Sequence, residues 1–152
     1  MTIRLTSEEA WALVTNAHTG IFVTLRSDGT PIALPMWFVV LDGAIYVHTP
    51  RRSKKVARIR RNPRASFLVE EGERWAELRA VHLTGRAEIV EDAAVLERFR
   101  AVADAKYTAF RTPRAAMPER TRQRAETIES VLVRIVPDAH VLSWDNRKLW
   151  PA

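Results

Sequence analysis

The chain of 152 residues contains no cysteine. It therefore has no disulfide and no thiolate metal ligand, and a reducing cytoplasm is the simplest location to expect. The four histidines are isolated and lack metal-ligand spacing, so we expect no metal site. No apolar run is long enough to span a membrane, and the N-terminal residues lack the apolar core of a signal peptide. The sequence thus argues against disulfide-stabilised, membrane-spanning and metal-dependent classes of protein.

Common catalytic signatures are also missing. The sequence has no Gly-x-Ser-x-Gly, no His-Glu-x-x-His and no Gly-x-Gly-x-x-Gly motif. A hydrophobic fraction of 47% fits a folded globular chain, and we expect a single domain over residues 1–152. The absence of these motifs fits a protein whose chemistry belongs to a bound cofactor that the chain binds and orients, but it does not by itself indicate one.

The positive charge of the chain is concentrated in one short stretch. Residues 51–64 hold eight Lys and Arg and no acid, whereas the whole chain has 24 Lys and Arg against 18 Asp and Glu. The remainder is therefore close to neutral. A pI near 10.5 suggests a nucleic-acid-binding module. Because one short segment carries most of the excess charge and no helix-turn-helix or RNA-binding signature is present, we expect no nucleic-acid partner.

The local sequence around this stretch predicts a strand, a turn and a capped helix. Residues 44–49 are β-branched and aromatic, which is typical of a strand. Ser53 stands at the position of a helix N-cap, and Val56 and Ile59 give the helix an apolar stripe. A helix N-terminus with a hydroxyl and two ammonium groups suits a phosphate. We therefore predict a phosphate or other anion site here rather than an ordinary solvated helix face.

The order and spacing of these residues resemble the cofactor-phosphate segment of the pyridoxamine-phosphate-oxidase-like family. The matching residues are Tyr46, Val47, His48 and Thr49, then Ser53, Lys54 and Lys55, then Arg61, Asn62 and Pro63. The resemblance extends over roughly residues 20–90, and more loosely to residue 144. It implies a mainly β fold, a six-stranded antiparallel split β-barrel of the FMN-binding type with peripheral helices.

The resemblance also implies a cofactor site that is shared across the two-fold interface of a homodimer. The cofactor-binding positions that it implies are Pro35, Met36, Trp37, His48, Thr49, Arg52, Ser53, Lys54, Lys55 and Arg79. The first three lie against the flavin ring in such proteins, and Arg79 belongs to a strand that faces the cofactor of the other subunit. No catalytic residue is implied.

The function that the resemblance implies is an oxidoreductase that uses FMN or coenzyme F-420, a deazaflavin, to act on a small organic substrate. Both cofactors stay open, although the acidic glutamyl tail of F-420 suits the extra cations Arg51, Arg52 and Arg58. A flavin or tetrapyrrole carrier without turnover is the alternative. His48 replaces the usual Tyr, and residues 143–148 do not match the substrate motif of true pyridoxamine-phosphate oxidases, which argues against a vitamin B6 substrate.

The rest of the chain predicts further strands and helices. A capping box of Thr6 and Glu9 begins the first helix, and Asp92 begins a later one. We expect further strands at residues 21–25, 31–41, 65–69, 75–90 and 130–136, with Pro35 marking an edge or bulge and Gly85 a bulge. The Arg-rich residues 107–127 predict either a loop and short helix beside the substrate or a solvated surface, and we favour the second.

Overall fold

The computed structural model describes residues 2–150, and its centre is one antiparallel sheet. The strands are β1 (Gly20–Leu25), β2 (Pro31–Met36), β3 (Val39–Leu41), β4 (Ala44–Pro50), β5 (Arg64–Glu71), β6 (Arg79–Val90) and β7 (Ser130–Asp145). The helices are α1 (Ser7–Asn16), α2 (Lys54–Arg61), α3 (Ala93–Tyr107) and α4 (Glu119–Thr127). Short 3-10 turns lie at Trp75–Glu77, Thr108–Phe110, Arg114–Ala116 and Asn146–Leu149. Within residues 2–150, every helix is too short or too polar to cross a lipid bilayer.

The sheet curls because its two edge strands are neighbours in the sequence. The strand order is β2-β1-β5-β6-β7-β4-β3, so β2 and β3 form opposite edges. Only Trp37 and Phe38 join them, which draws the two edges together into a curled half-barrel. This mainly β architecture agrees with the split barrel that the sequence resemblance implied.

The expected strand count of six was wrong, because the sheet has seven strands. The single strand predicted for residues 31–41 breaks after Met36. Pro35 has no N–H to donate, and the Phe38 N–H donates to the Tyr107 hydroxyl at 2.9 Å rather than to a neighbouring strand. Phe38 is 0% exposed, so burial of its ring accompanies the break.

Two other strand boundaries differ from the sequence prediction. The strand expected at residues 75–90 begins at Arg79, since residues 75–77 form a 3-10 turn. The last strand continues past Pro137 to Asp145 instead of ending at residue 136. Pro137 is tolerated because it lies opposite Gly85, where the β6–β7 register shifts. The predicted bulge at Gly85 is thereby confirmed.

The predicted helix caps are confirmed. Thr6 and Glu9 form the capping box of α1, the Ser53 hydroxyl accepts from the Val56 N–H at 3.4 Å, and the Asp92 carboxylate accepts from Val95 at 2.9 Å. The apolar stripe of α2 is also as predicted, since Val56 and Ile59 are both buried. Burial of that stripe leaves the basic side chains of α2 around its outer surface and its N-terminus open beside the end of β4.

Hydrophobic residues pack against both faces of the sheet. The larger cluster lies inside the curl, under α1 and α2, and includes Phe22, Phe38, Val47, Phe67 and Ile135. The smaller cluster lies under α3 and includes Tyr46, Phe99, Ala103, Tyr107 and Leu132. The two clusters hold β4 from opposite sides, and this fixes the strand that leads into α2.

Candidate functional site

The first part of the candidate site is the α2 cradle, which we define as Thr49, Arg52, Ser53, Lys54 and Lys55. The Lys55 ammonium donates to the Thr49 hydroxyl at 2.9 Å, and the Thr49 and Ser53 hydroxyl oxygens are 3.5 Å apart. Thr49 is buried, whereas Arg52 and Lys54 are exposed. The structure therefore brings together the two hydroxyls, the Lys55 ammonium and the start of α2 that the sequence predicted as an anion site, whereas Lys54 lines a separate cleft with Asp28 and Arg61.

The electrostatics of the cradle favour an anion. Partial burial, and then the neighbouring Arg58, lower the pKa of the Lys55 ammonium below its ordinary value. Within residues 2–150, neither Arg52 nor Lys54 forms an ion pair. An ammonium has three donors, and Lys55 uses one on Thr49. The donor set therefore fits a phosphate, whose negative charge would offset the partial burial and the repulsion from Arg58 that disfavour a charged Lys55.

Three arginines of the basic stretch are engaged elsewhere. Arg51 forms ion pairs with Glu91 and Glu129, the latter at 2.6 Å. The Arg58 Nε donates to the buried Thr24 hydroxyl at 2.8 Å. Arg64 pairs with Asp138 at 2.7 Å. These contacts anchor the segment to the rest of the fold, and among the described residues only the charges of Arg51 and Arg64 in this stretch are balanced by acids.

The second part of the candidate site is a cleft of about 440 Å³, which we call the Trp37 cleft. It is lined by Pro35, Met36, Trp37, Phe38, His48, Phe99, Ala103, Tyr107 and Arg111. The volume lies within the range of about 300–1,000 Å³ that is usual for small-molecule sites. Four of the residues predicted for the cofactor site therefore share one concave, largely apolar surface.

Tyr107 holds the wall of the Trp37 cleft in place. Its ring stacks on Trp37 with centroids 4.5 Å apart and an interplanar angle of 4°. Its hydroxyl accepts from the Phe38 N–H and lies 2.8 Å from the Phe38 carbonyl and 2.9 Å from the His18 carbonyl. Burial raises the pKa of this phenol, so it stays a hydrogen-bond donor.

Lys106 also stabilises the backbone at Phe38, where the strand breaks. Its ammonium lies 4.1 Å from the centroid of the Phe38 ring and donates to the carbonyls of Thr15 and Phe38. Desolvation lowers its pKa to about 8. The sequence analysis missed both Lys106 and Tyr107, although Phe99, Ala103 and Tyr107 recur every fourth residue and would have indicated the buried face of α3.

The cradle and the cleft meet where β4 becomes an edge. The pairing of β3 with β4 ends at Tyr46, while β7 continues to pair with β4 as far as Pro50. The outer edge of β4 is therefore unpaired from Val47 onward within the described chain. His48 is exposed on the face of the cleft and Thr49 is buried on the opposite face, as strand alternation requires. A ligand that crosses this free edge can contact both parts.

His48 is a weak base in this position. Its ring lies 6.0 Å from the Phe99 ring at an interplanar angle of 30°. Partial desolvation, followed by the charge of Arg100, lowers the pKa of His48 below its usual value. A neutral imidazole at the mouth of the cleft offers one donor and one acceptor rather than a positive charge.

Arg79 does not join the other predicted residues within one chain. It begins β6, lies opposite Asp145 of β7 and pairs with Glu71 of β5. The cradle lies near the other end of β7, where Pro50 is opposite Ser130. A role for Arg79 at the cofactor therefore requires a second subunit.

Two further clefts border these parts. One, of about 530 Å³, adjoins the cradle and is lined by Pro50, Arg52, Ser53, Arg124, Thr127, Ile128 and Glu129. The other, of about 760 Å³, shares Trp37 and Arg111 with the Trp37 cleft and is otherwise lined by Phe110, Thr112, Arg114, Met117, Arg122 and Ala125. The segment of residues 107–127 that was expected to be a solvated surface is largely exposed, but it also forms walls of both clefts.

Comparison with known proteins agrees with this geometry. The family model described as pyridoxamine 5'-phosphate oxidase matches residues 6–136, which is most of the chain. The chain therefore belongs to the pyridoxamine-phosphate-oxidase-like family. No curated protein matches it.

Solved structures share the fold along nearly the whole chain. A conserved hypothetical protein from Mycobacterium tuberculosis is 35% identical, with a TM-score of 0.82, over 99% of this chain and 91% of that protein. An FAD-binding protein from Mesorhizobium loti is 22% identical, with a TM-score of 0.67, over 91% of each chain. An FAD-binding protein from Mycobacterium smegmatis is 21% identical, with a TM-score of 0.65, over 93% of this chain and 98% of that one. At the two lower identities the similarity shows a common fold alone.

Proposed function

We propose that this protein is a cofactor-dependent oxidoreductase that binds FMN or coenzyme F-420 and exchanges a hydride or electrons with a small organic substrate. The observation that carries the proposal is the α2 cradle, which faces a free edge of β4 with the Trp37 cleft on the other side of that edge. Family membership and the names of the two FAD-binding structural neighbours support a flavin-type ligand.

The cradle supplies the phosphate contacts in this proposal. Lys55 and Lys54 provide charge-assisted hydrogen bonds, and Ser53 places the first N–H groups of α2 toward the same point. Thr49 orients Lys55 through their 2.9 Å hydrogen bond. Arg58 holds α2 against β1 through Thr24, so the cradle is fixed before any ligand arrives.

The Trp37 cleft accommodates the ring system. Pro35, Met36 and Trp37 present a short stretch of irregular backbone between two edge strands, and the stacked pair of Trp37 and Tyr107 gives this stretch a rigid support. The flavin or deazaflavin supplies the redox chemistry when bound, and the chain supplies an apolar, partly enclosed surface that orients the ring. His48 stands at the mouth of the cleft as a neutral hydrogen-bonding group.

The choice between the two cofactors depends on the cations beyond the phosphate. Of the three arginines that suit an acidic tail by sequence, Arg51 is paired with Glu91 and Glu129, and Arg58 is bonded to Thr24. Only Arg52 lines the cleft beside the cradle, where Arg124 joins it from α4. A glutamyl tail is therefore proposed to lie along Arg52 and Arg124.

A homodimer completes the proposed site. The edge strand β2 is built of Pro31, Ile32, Ala33, Leu34, Pro35 and Met36, an entirely apolar sequence, and four of the six residues are exposed. Exposed apolar surface of this kind is typical of an interface. A second subunit would cover β2 and would bring Arg79 to the cofactor. The interface of such a dimer should bury more than about 1,000 Å² in total. Light scattering should show the mass of a dimer, and a monomer in the presence of bound cofactor would contradict this part of the proposal.

The proposal is tested first by identifying what the protein binds. Mass spectrometry of the small molecules that copurify with it should detect FMN or F-420. Titration of the apo-protein with each cofactor, followed by fluorescence, should then show which binds more tightly. A preference for F-420 that shrinks with added salt would show that exposed cations contact its acidic tail, as proposed for Arg52 and Arg124, whereas binding of neither cofactor would overturn the proposal.

Turnover is tested separately from binding. The absorbance of the bound cofactor should change when a suitable reductant or oxidant is added. The protein should then convert many equivalents of substrate for each bound cofactor, rather than a single equivalent. Stable binding without repeated turnover across a panel of small organic substrates would instead identify a flavin carrier.

A further inference from the structure

The cleft beside the Trp37 cleft has the composition of a site for an organic anion. We call it the arginine cleft, after Arg111, Arg114 and Arg122, which line it together with Trp37, Phe110, Thr112, Met117 and Ala125. No carboxylate is among these residues. Its volume is about 760 Å³, so it is larger than the neighbouring Trp37 cleft.

The three arginines of the cleft are not equivalent. Arg111 pairs with Asp104 and Arg114 pairs with Glu126, so two of the charges are balanced by acids outside the cleft. Arg122 lies on α4, is partly buried, and makes no ion pair or side-chain hydrogen bond with any other residue between 2 and 150. An unpaired guanidinium in a partly enclosed site is suited to bidentate binding of a carboxylate, sulfonate or phosphate.

The apolar residues of the cleft suit a flat ligand. Trp37 and Phe110 are exposed by 40% and 62%, and both lie within edge-to-face distance of His18. The Tyr107 ring stacks on the Trp37 ring and holds it in place. Aromatic surfaces that are held in place and left exposed beside a free cation favour a ligand with a planar apolar body and one anionic group.

We propose that the arginine cleft binds the organic substrate, and that this substrate is a small planar anion whose acidic group contacts Arg122. This inference rests on the proposed function, because the shared wall of Trp37 and Arg111 places the ligand beside whatever occupies the Trp37 cleft. The phosphate of the cofactor is already provided for by the α2 cradle. The additional cationic cleft is therefore assigned to the second reactant.

The test compares a planar anion with its neutral counterpart, 2-naphthoate and 2-naphthalenemethanol, by calorimetric titration of the apo-protein. The protein should bind the naphthoate at least about 10-fold more tightly than the alcohol, as expected for one charge-assisted contact. Arg122→Gln should remove that preference, and Arg122→Lys should retain part of it. Arg120→Gln, on the exposed side of the same helix, is the matched control and should keep the full preference. Circular dichroism of each variant establishes that it is folded.

Four outcomes would overturn the inference. Equal binding of acid and alcohol would remove the role of charge, and an unchanged preference in Arg122→Gln would place the anion elsewhere. Loss of the preference in Lys55→Ala would place the naphthoate in the α2 cradle, and displacement of the naphthoate by bound FMN or F-420 would assign the cleft to the cofactor. If the naphthoate preference persists but neither cofactor binds, the anion site stands and the oxidoreductase proposal fails, so the two failures are distinguishable.

Discussion

Replacing Tyr107 by Phe tests how the site is built into the fold. The substitution keeps the ring that stacks on Trp37 and removes only the hydroxyl. That hydroxyl accepts from the buried Phe38 N–H at 2.9 Å and donates to one of two carbonyl oxygens, those of Phe38 and His18. It therefore fixes the point at which β2 gives way to β3.

The expected cost of Tyr107→Phe follows from these contacts. A buried N–H without an acceptor costs about 1–3 kcal/mol, and the lost donation to a carbonyl costs about 0.5–1.5 kcal/mol. The free energy of unfolding should therefore fall by about 1.5–4.5 kcal/mol, which leaves a protein of ordinary stability folded. Because the hydroxyl positions Trp37, the affinity for the flavin-type cofactor should fall as well.

Urea unfolding at 25 °C measures the stability change, and Tyr46→Phe is the matched control. Tyr46 is also buried, but its hydroxyl lies near the charged side chain of Arg134 rather than holding a backbone amide. The control should lose less than Tyr107→Phe, because the Arg134 side chain is partly exposed and keeps its ion pair with Glu88. If Tyr107→Phe costs no more than Tyr46→Phe, the hydroxyl does not hold the strand break, and the account of the cleft wall is wrong.

Two further predictions concern stability. The pKa of Lys106 is about 8 in the folded protein and 10.5 in the unfolded chain, so the unfolded chain binds more protons between these pH values. The stability of the wild type should therefore rise with pH relative to that of Lys106→Met over this window. A relative fall in matched urea titrations would contradict the burial of this cation. A Cβ at Gly85 would lie 2.2 Å from the Val136 carbonyl oxygen, so Gly85→Ala should lower the free energy of unfolding by about 1–3 kcal/mol. Gly43→Ala is the control, because a Cβ there meets no neighbouring atom and the substitution tests only backbone strain. Equal losses of thermal stability in the two variants would show that β6 and β7 do not approach closely at Gly85.

The parts of the structure that the sequence predicts well depend on neighbouring residues. The Ser53 cap and the buried Val56 and Ile59 are set within a few residues along the chain. For the same reason the α2 cradle is assembled as expected, since Thr49 and Lys55 are only six residues apart.

The parts that the sequence does not predict depend on distant residues. The strand break at Phe38 is fixed by Tyr107, 69 residues away, and no local signal at residues 31–41 identifies that partner. Likewise the basic stretch contains no acid of its own, yet Glu91 and Glu129 reach Arg51 from β-strand ends that only the folded sheet brings near. Local charge counting therefore overestimated how many of these cations are free to bind a ligand.

The central claim is that the α2 cradle holds the phosphate of a flavin-type cofactor. The most direct measurement is the ratio of the dissociation constants of riboflavin and FMN, which differ by that phosphate, for the wild type, Lys55→Ala and Arg60→Ala. Where F-420 is the ligand that binds, the ratio is taken between its deazariboflavin core and F-420; because F-420 also carries the glutamyl tail, the phosphate contact is then read from the change in this ratio in Lys55→Ala relative to Arg60→Ala.

The wild type should prefer the phosphorylated ligand, and Lys55→Ala should reduce that preference by about 10- to 150-fold, as expected for a charge-assisted hydrogen bond of about 1.5–3 kcal/mol. Arg60→Ala changes an exposed cation further along the same helix and should leave the preference intact. Equal binding of the phosphorylated and phosphate-free ligands by the wild type, or an undiminished preference in Lys55→Ala, would contradict the claim and place the cofactor site elsewhere.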